Sequence, residues 1–263
     1  MTLGIATPFL NERPFARAWA TNAKKFADEI ITANTGSTDG TDEILKAEGI
    51  RVIDIHDRIT GVSKSLYEKI QYQSWNHGRE GIVRNRLKSL VKSDFILTLD
   101  LDELLDDRFF EVLDDIKSSP RWKFGQLKQY MFWGGLDKIR VRSLKPLLFF
   151  KGRFNPLRNW RGKYPNPNVR IYRNLPEINH SVSEKHCVLG YKNYGRVSYH
   201  IPTFCRDFDV PFYHMHYCFS NVKNGNMDSE LGQEIPTLNF DRIDGSYPKE
   251  LKLIQEDYAK FKA

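Results

Sequence analysis

The chain has 263 residues, 40% of them hydrophobic and 28% charged, which is the composition of a folded domain and excludes a disordered chain. Its formal charge of +7 is unevenly spread: residues 138–173 hold 11 basic and no acidic residues, while residues 1–137 and 174–263 are each net −2. No apolar run approaches the roughly 20 residues that span a bilayer, and Met1-Thr2-Leu3-Gly4-Ile5 lacks the features of a signal peptide, so a cytoplasmic protein is expected.

Leu3 to Pro8 predicts a short buried strand stopped by proline. Phe15, Ala16, Trp19, Ala20, Ala23 and Phe26 recur at the spacing of one helical face. Glu29 to Ala33 predicts a second strand, running into the turn-rich Asn34-Thr35-Gly36-Ser37-Thr38-Asp39-Gly40-Thr41. A helix through Ile44 and Leu45 follows, with Thr41 as its N-cap. Arg51 to Ile55 is a third strand. Val83, Leu87, Leu90 and Val91 mark a longer helix, and Phe95 to Leu99 a fourth strand. Such alternation implies an α/β fold with a parallel sheet between helices, whose ligands bind at the carboxyl ends of the strands.

After about residue 120 the pattern changes to aromatic, basic and proline-rich segments with short strand-like stretches such as Leu147–Phe150 and Val169–Tyr172. There is no internal repeat and no low-complexity linker, so residues 1–120 and 121–263 are read as two halves of one domain. The second half closes with an amphipathic helix through Leu251, Ile254 and Tyr258.

The predicted strands of the first half end in polar residues: Asn11-Glu12, then Asn34 to Asp39, then Asp100-Leu101-Asp102-Glu103. Converging on one sheet edge, they would form an acidic cleft. There Asp100 and Asp102 could share a divalent cation and so neutralise a diphosphate leaving group. The Asp-x-Asp pattern itself carries no information. With 19 aspartates chance supplies about 1.4 such pairs, and the chain has two, the other being Asp207-Phe208-Asp209. Its position at the end of an apolar strand is what matters.

Asn11-Glu12, Asp28 to Ile31 leading into Thr35-Gly36-Ser37-Thr38-Asp39-Gly40-Thr41, then Arg84-Asn85, then Leu99-Asp100-Leu101-Asp102-Glu103 resemble family 2 glycosyltransferases in order and spacing, over roughly residues 1–115. The resemblance implies a GT-A fold, a mostly parallel Rossmann-like sheet flanked by helices, with a β-rich acceptor-side extension in the second half. It also implies a nucleotide-sugar donor, Mn²⁺ or Mg²⁺, and inversion at the anomeric carbon. By position, Pro8, Glu12, Asn34, Gly36 and Asp39 would line the nucleoside site, Arg84 would approach the diphosphate or donor sugar, and Asp100 and Asp102 would hold ribose and metal. The family commonly has Asp where Asn34 stands; its carbonyl still accepts from a uracil N–H, which keeps a UDP-linked donor in view.

Arg170-Ile171-Tyr172-Arg173-Asn174 followed by Val182-Ser183-Glu184 is similar to a family segment that usually ends in His-Glu, with Ser183 in place of the histidine. Glu184 is then the candidate base that deprotonates the acceptor hydroxyl, with Asp207 and Asp209 in reserve. His216-Tyr217 resembles a late His-Tyr pair whose histidine completes the metal or diphosphate site.

Simpler readings stand beside these. The Asn34–Thr41 run also suits an ordinary Gly-rich turn, and Asp100 and Asp102 a solvated strand end. Glu184 also suits a plain surface position. His214 and His216 would share one face of a strand, where a satisfied core histidine is as good a reading as a ligand. Cys187, Cys205 and Cys218 lack the short Cys-x-Cys spacings of structural zinc sites, so buried thiols are expected.

The basic run interleaves its cations with Phe149, Phe150, Phe154, Trp160, Tyr164 and Tyr172. That mixture suits nucleic acid, an anionic membrane surface contacted peripherally, or a solvated face over core aromatics. Arg153, Arg158, Trp160, Arg161 and Lys163 are its candidate acceptor-binding residues. The acceptors that follow are a modified base in DNA, as some phage enzymes use, or a lipopolysaccharide or other envelope glycan. Two rivals remain: a non-catalytic nucleic-acid-binding module, and a nucleotidyltransferase. The intact acidic strand ends count against the first, and the missing early Gly-rich phosphate loop against the second.

Overall fold

A computed structural model describes residues 1–55, 77–118, 121–133, 135–140, 166–181, 189–191, 195–196, 204–218, 237–239 and 248–262. Strands β1 (Leu3–Phe9), β2 (Glu29–Asn34), β3 (Arg51–Asp54) and β4 (Phe95–Leu97) alternate with helices α1 (Arg13–Ala23), α2 (Thr41–Ala47) and α3 (His77–Leu90). They pair in the order β4-β1-β2-β3, every pair parallel, as the β-α alternation predicts. Period-two alternation along these strands feeds two cores. Leu3, Ile5, Phe95 and Leu97 face one side with Phe15 and Trp19 of α1, while Ala6, Ile31 and Ile96 face the other with Val83 and Leu87 of α3. At Gly4 a Cβ would lie 2.7 Å from Val91 Cγ1, so the close approach of β1 to the chain leaving α3 requires glycine.

Beyond β4 come β5 (Glu103–Leu105), α4 (Phe109–Lys117), β6 (Phe124–Trp133), β7 (Lys138–Arg140) and β8 (Asn166–Arg173). A small three-stranded sheet of β9 (Ile178–His180), β10 (Leu189–Tyr191) and β11 (Gly195–Arg196) follows, then β12 (Cys205–Tyr217), β13 (Thr237–Asn239) and α5 (Leu251–Lys262). β8 joins β4 antiparallel, β6 joins β8 antiparallel, and β12 runs parallel to β6 while pairing antiparallel with β5. Among the described residues the main sheet has ten strands. The fold class is α/β: a parallel half, and a second half added through the antiparallel pairs of β8 and β5 and the parallel pair of β12 with β6.

Two local expectations are corrected. β1 runs through Pro8 to Phe9, because β4 pairs with β1 only as far as Ile5, and past that point a missing N–H removes no bond on that side. The N-cap of α2 is Gly40, at φ 85°, with Thr41 as the first helical residue. α5 packs on α1, where Arg17 pairs with Glu256 at 2.9 Å and Asp257 at 3.0 Å. Leu147–Phe150 lies outside the described residues. Among those described, no helix is long and apolar enough to cross a membrane.

Candidate active site and metal centre

The carboxyl ends of the parallel strands carry two differently built regions. In the first, the loops after β1 and β2 are laced together. Asn11 holds a left-handed backbone, φ 54°, which suits its short amide side chain. Its Oδ1 accepts from Thr38 N at 2.9 Å, and its own N–H donates to Ser37 Oγ at 3.0 Å. Asn34 is buried, and its Oδ1 accepts from the amides of Gly36 and Ser37 at 3.0 and 2.8 Å, closing an Asx-type turn. The Asp39 carboxylate accepts from Arg13 N at the start of α1 and from both the N–H and hydroxyl of Thr41. Thr41 Oγ1 in turn accepts from Glu12 N at 2.9 Å.

The second region is the turn from β4 into β5, where Asp100, Asp102 and Glu103 spread in different directions. Two anchors from α1 hold this turn. Trp19 Nε1 donates to Leu99 O, and Asn22 makes paired bonds with the backbone of Leu105. Asp100 Oδ1 accepts from Thr7 Oγ1 at 3.0 Å and Arg84 at 2.7 Å, while its Oδ2 lies 3.7 Å from Arg170 of β8. Burial would raise the pKa of this carboxyl, but the Arg84 and Arg170 charges outweigh it and hold it at about 2.

Glu103 is buried, accepts from Arg170 and from the backbone amide of Asp100, and is pushed up to about 7, chiefly by burial and against the pull of Arg170. Arg170 stacks 4.7 Å over the Phe212 ring. Arg84, itself 8% exposed, also donates to Glu80 at 2.8 Å. The neighbouring Asn85 exchanges two hydrogen bonds with the backbone of His180, tying α3 to the small sheet.

Asp102 is 3% exposed and turns the other way, toward β12. His214 and His216 alternate on that strand and share one face, as their spacing predicts, with ring centroids 5.7 Å apart. His216 Nδ1 lies 3.2 Å and His214 Nε2 3.4 Å from the same oxygen, Asp102 Oδ2. Backbone pairing sets this approach: Met215 N donates to Asp102 O at 2.8 Å, and His214 is in register with Glu103. Between the two histidines' strand and β5, Tyr213 donates to the buried Asp106 at 2.7 Å. Burial opposes a charged His214 ring, but Asp102 and Glu103 outweigh it and raise its pKa. One ligand atom from each of Asp102, His214 and His216 lies within 4.8 Å of the others, a set able to hold a metal ion.

The expected site residues fall into two groups by their contacts. Pro8, Glu12, Asn34, Gly36 and Asp39 do gather on the strand ends, but the Asn34 carbonyl expected to face a base is committed to its own turn. Likewise, the Asp39 carboxylate is committed to three donors. Asp100, expected to share a cation with Asp102 and His216, faces two arginines instead, and His214 stands in its place in the cluster. Asp209 is not at this centre. It is a largely exposed residue paired with Lys128, and it lies five residues before His214 along β12, or about 16 Å at strand rise.

Glu184, Arg153, Arg158, Trp160, Arg161, Lys163 and Cys187 lie outside the described residues. Arg170 and Glu103 carry no assigned role in the sequence motifs that contain them, and the structure pairs them with each other; the His-x-His alternation is the local signal behind the approach of both His214 and His216 to Asp102. The metal-capable set among the described residues contains no cysteine, and burial pushes the Cys205 thiol up to about 11.

No family model matches the sequence, and no curated protein matches it. Among solved structures, glucosyl-3-phosphoglycerate synthase from Mycobacterium tuberculosis, in a complex with Mn²⁺, UDP and glucosyl-3-phosphoglycerate, superposes with a TM-score of 0.42 at 19% identity. The match covers 66% of this chain and 57% of that one, so the chain spans little more than half of the synthase. The same synthase with Mg²⁺ and UDP gives a TM-score of 0.41. S. aureus TarS gives 0.42 at 16% identity, covering 66% of this chain and 28% of TarS.

Proposed function

We propose that this chain is an inverting, metal-dependent glycosyltransferase that moves a sugar from a nucleotide-diphosphate sugar to a hydroxyl acceptor. The observation that carries this reading is the meeting of Asp102 with His214 and His216 at the carboxyl end of a parallel strand, beside the laced loops of Asn11 and Asn34. A carboxylate and two imidazoles fit a divalent cation, Mn²⁺ or Mg²⁺ in the expectation from sequence. Bound there, the cation would supply charge neutralisation for a departing diphosphate.

The chain's own groups account for the rest. The loops after β1 and β2 present backbone and small side chains where a nucleoside would lie. Arg84 and Arg170 keep Asp100 ionised, which makes it a fixed acceptor suited to ribose hydroxyls. Glu184 remains the proposed base for the acceptor proton, supported by its place after the Arg170–Asn174 motif. The two halves then divide the work, residues 1–120 for the donor and 121–263 for the acceptor.

For the acceptor we favour an anionic polymer such as a modified base in DNA, on the strength of the cationic residues 138–173 alone. An envelope glycan is the alternative, and binding that does not weaken with rising salt would remove the DNA reading. The test of the reaction class is nucleotide release from a panel of nucleotide sugars with Mn²⁺. Turnover of at least one donor is expected, lowered about 10²–10³-fold by Asp102→Ala; no turnover of any donor, or turnover unchanged in that variant, would overturn the reading.

A further inference from the structure

We infer that Asn85 is a positioning residue: it fixes where β9 ends beside the Asp100 turn, and so sets the placement of the segment that continues to Glu184. This rests on the proposed function, in which Glu184 is the base, and adds the group in the donor half that aims it.

The contact singles out one residue of the strand. Asn85 Nδ2 donates to His180 O at 2.8 Å, and His180 N donates to Asn85 Oδ1 at 2.7 Å. β9 pairs with β10 along one edge, and at His180 the Asn85 amide takes the place of a strand partner on the other. A side-chain amide offers one acceptor and one donor group at a fixed spacing, which matches the N–H and C=O of a single residue. Slipping β9 by one residue would turn those groups to the opposite edge, so the clamp holds register as well as distance. The His180 ring is held too. It lies edge-on to Tyr172 of β8, with centroids 5.8 Å apart at 78°, and its Nε2 is 3.4 Å from the Tyr172 hydroxyl. Tyr172 is in register with Ile96 of β4, the strand that leads into the Asp100 turn.

The residue before Asn85 grips that turn directly, because Arg84 Nη2 donates to Asp100 at 2.7 Å. Successive helical residues point about 100° apart, so α3 holds the donor turn with one side chain and β9 with the next. The charges of Arg84 and Asp100 both reach the His180 ring, which places the end of β9 close to the donor turn. From His180 the chain reaches Glu184 in four residues, about 14 Å at full extension. A segment so short carries any displacement of β9 forward to the base. A misplacement of about 1 Å at a reacting group can cost about 10²-fold in rate.

The experiment compares the wild type, Asn85→Leu, Asn85→Asp, Glu184→Gln and the variant with both Asn85→Leu and Glu184→Gln. Each is used as the full chain, with Mn²⁺ and the donor found by nucleotide release. Asn85→Leu keeps the size of the side chain and loses both bonds. It should lower kcat at least tenfold while the calorimetric affinity for the donor stays within twofold. Asn85→Asp keeps the bond from His180 N and loses the other, and should still cost at least threefold. The double variant should be no slower than Glu184→Gln, because an absent base cannot be misplaced. A purely structural Asn85 would lower the melting temperature and leave kcat per folded molecule unchanged. That result, or losses that multiply in the double variant, would overturn the inference and leave the proposed function standing. Nucleotide release from no donor by the wild type would remove the proposed function, and this inference with it.

Discussion

The two regions at the carboxyl ends of the strands are both polar, yet they spend their polarity differently. In the loops after β1 and β2, Asn11, Asn34, Asp39 and Thr41 satisfy one another and nearby backbone amides, so their side chains shape a surface. In the β4–β5 turn, Asp102 meets groups from β12, more than a hundred residues away, and its neighbours Asp100 and Glu103 are balanced by Arg84 and Arg170. A polar motif read along the chain is therefore either scaffold or reactive centre, and what separates the two is whether a distant strand delivers a complementary group.

Substitutions in the two regions should break in different ways. The largest effect is expected from Asp102→Ala, which should lower nucleotide release by about 10²–10³-fold while the melting temperature stays within a few degrees. A loss of folded protein instead would make Asp102 scaffold. Arg170→Ala takes the cation from both Asp100 and Glu103; because Glu103, already pushed up to about 7, can take a proton instead, the expected cost is about 1–2 kcal/mol in urea denaturation at pH 7, with Arg170→Lys recovering part.

His180 separates packing from chemistry by pH. Burial, then the charges of Arg84 and Lys88, lower its pKa to about 3, below the 6.5 of an exposed ring. The unfolded chain thus binds a proton that the folded chain does not. The stability contributed is present above pH 6.5 and falls as pH drops toward 3, by about 2 kcal/mol at pH 5. His180→Gln should flatten that slope in denaturation curves taken at pH 7.5 and 5, and an unchanged slope would deny the burial argument.

Asn34→Ala removes the acceptor for two turn amides and should cost about 1–2 kcal/mol with Mn²⁺ affinity unchanged. Weakened metal binding there would join the two regions into one. The smallest effect belongs to Arg17→Ala at the α1–α5 contact, about 1 kcal/mol or less by thermal melting, because the pair is partly exposed.

Much of the parallel half was legible in the chain because its signals are local. Alternating apolar strands, the helical spacing through Phe15 and Trp19, and the turn residues after Glu29–Asn34 each report on their own neighbourhood. The candidate site was legible in its components and not in its pairings. The equivalence of Asp100 and Asp102 suggested by Asp-x-Asp dissolves once β8 brings Arg170 to one and β12 brings two histidines to the other. Such pairings depend on the later strands β8, antiparallel to β4, and β12, antiparallel to β5 and parallel to β6, whose register no local pattern encodes.

The most direct test is calorimetric binding of a nucleoside diphosphate sugar to the wild-type chain and to Asp102→Asn, each with and without Mn²⁺. The account predicts donor binding by the wild type that tightens at least tenfold with Mn²⁺, and no such tightening in the variant. Equal metal enhancement in both proteins, or no donor binding at all, would contradict it.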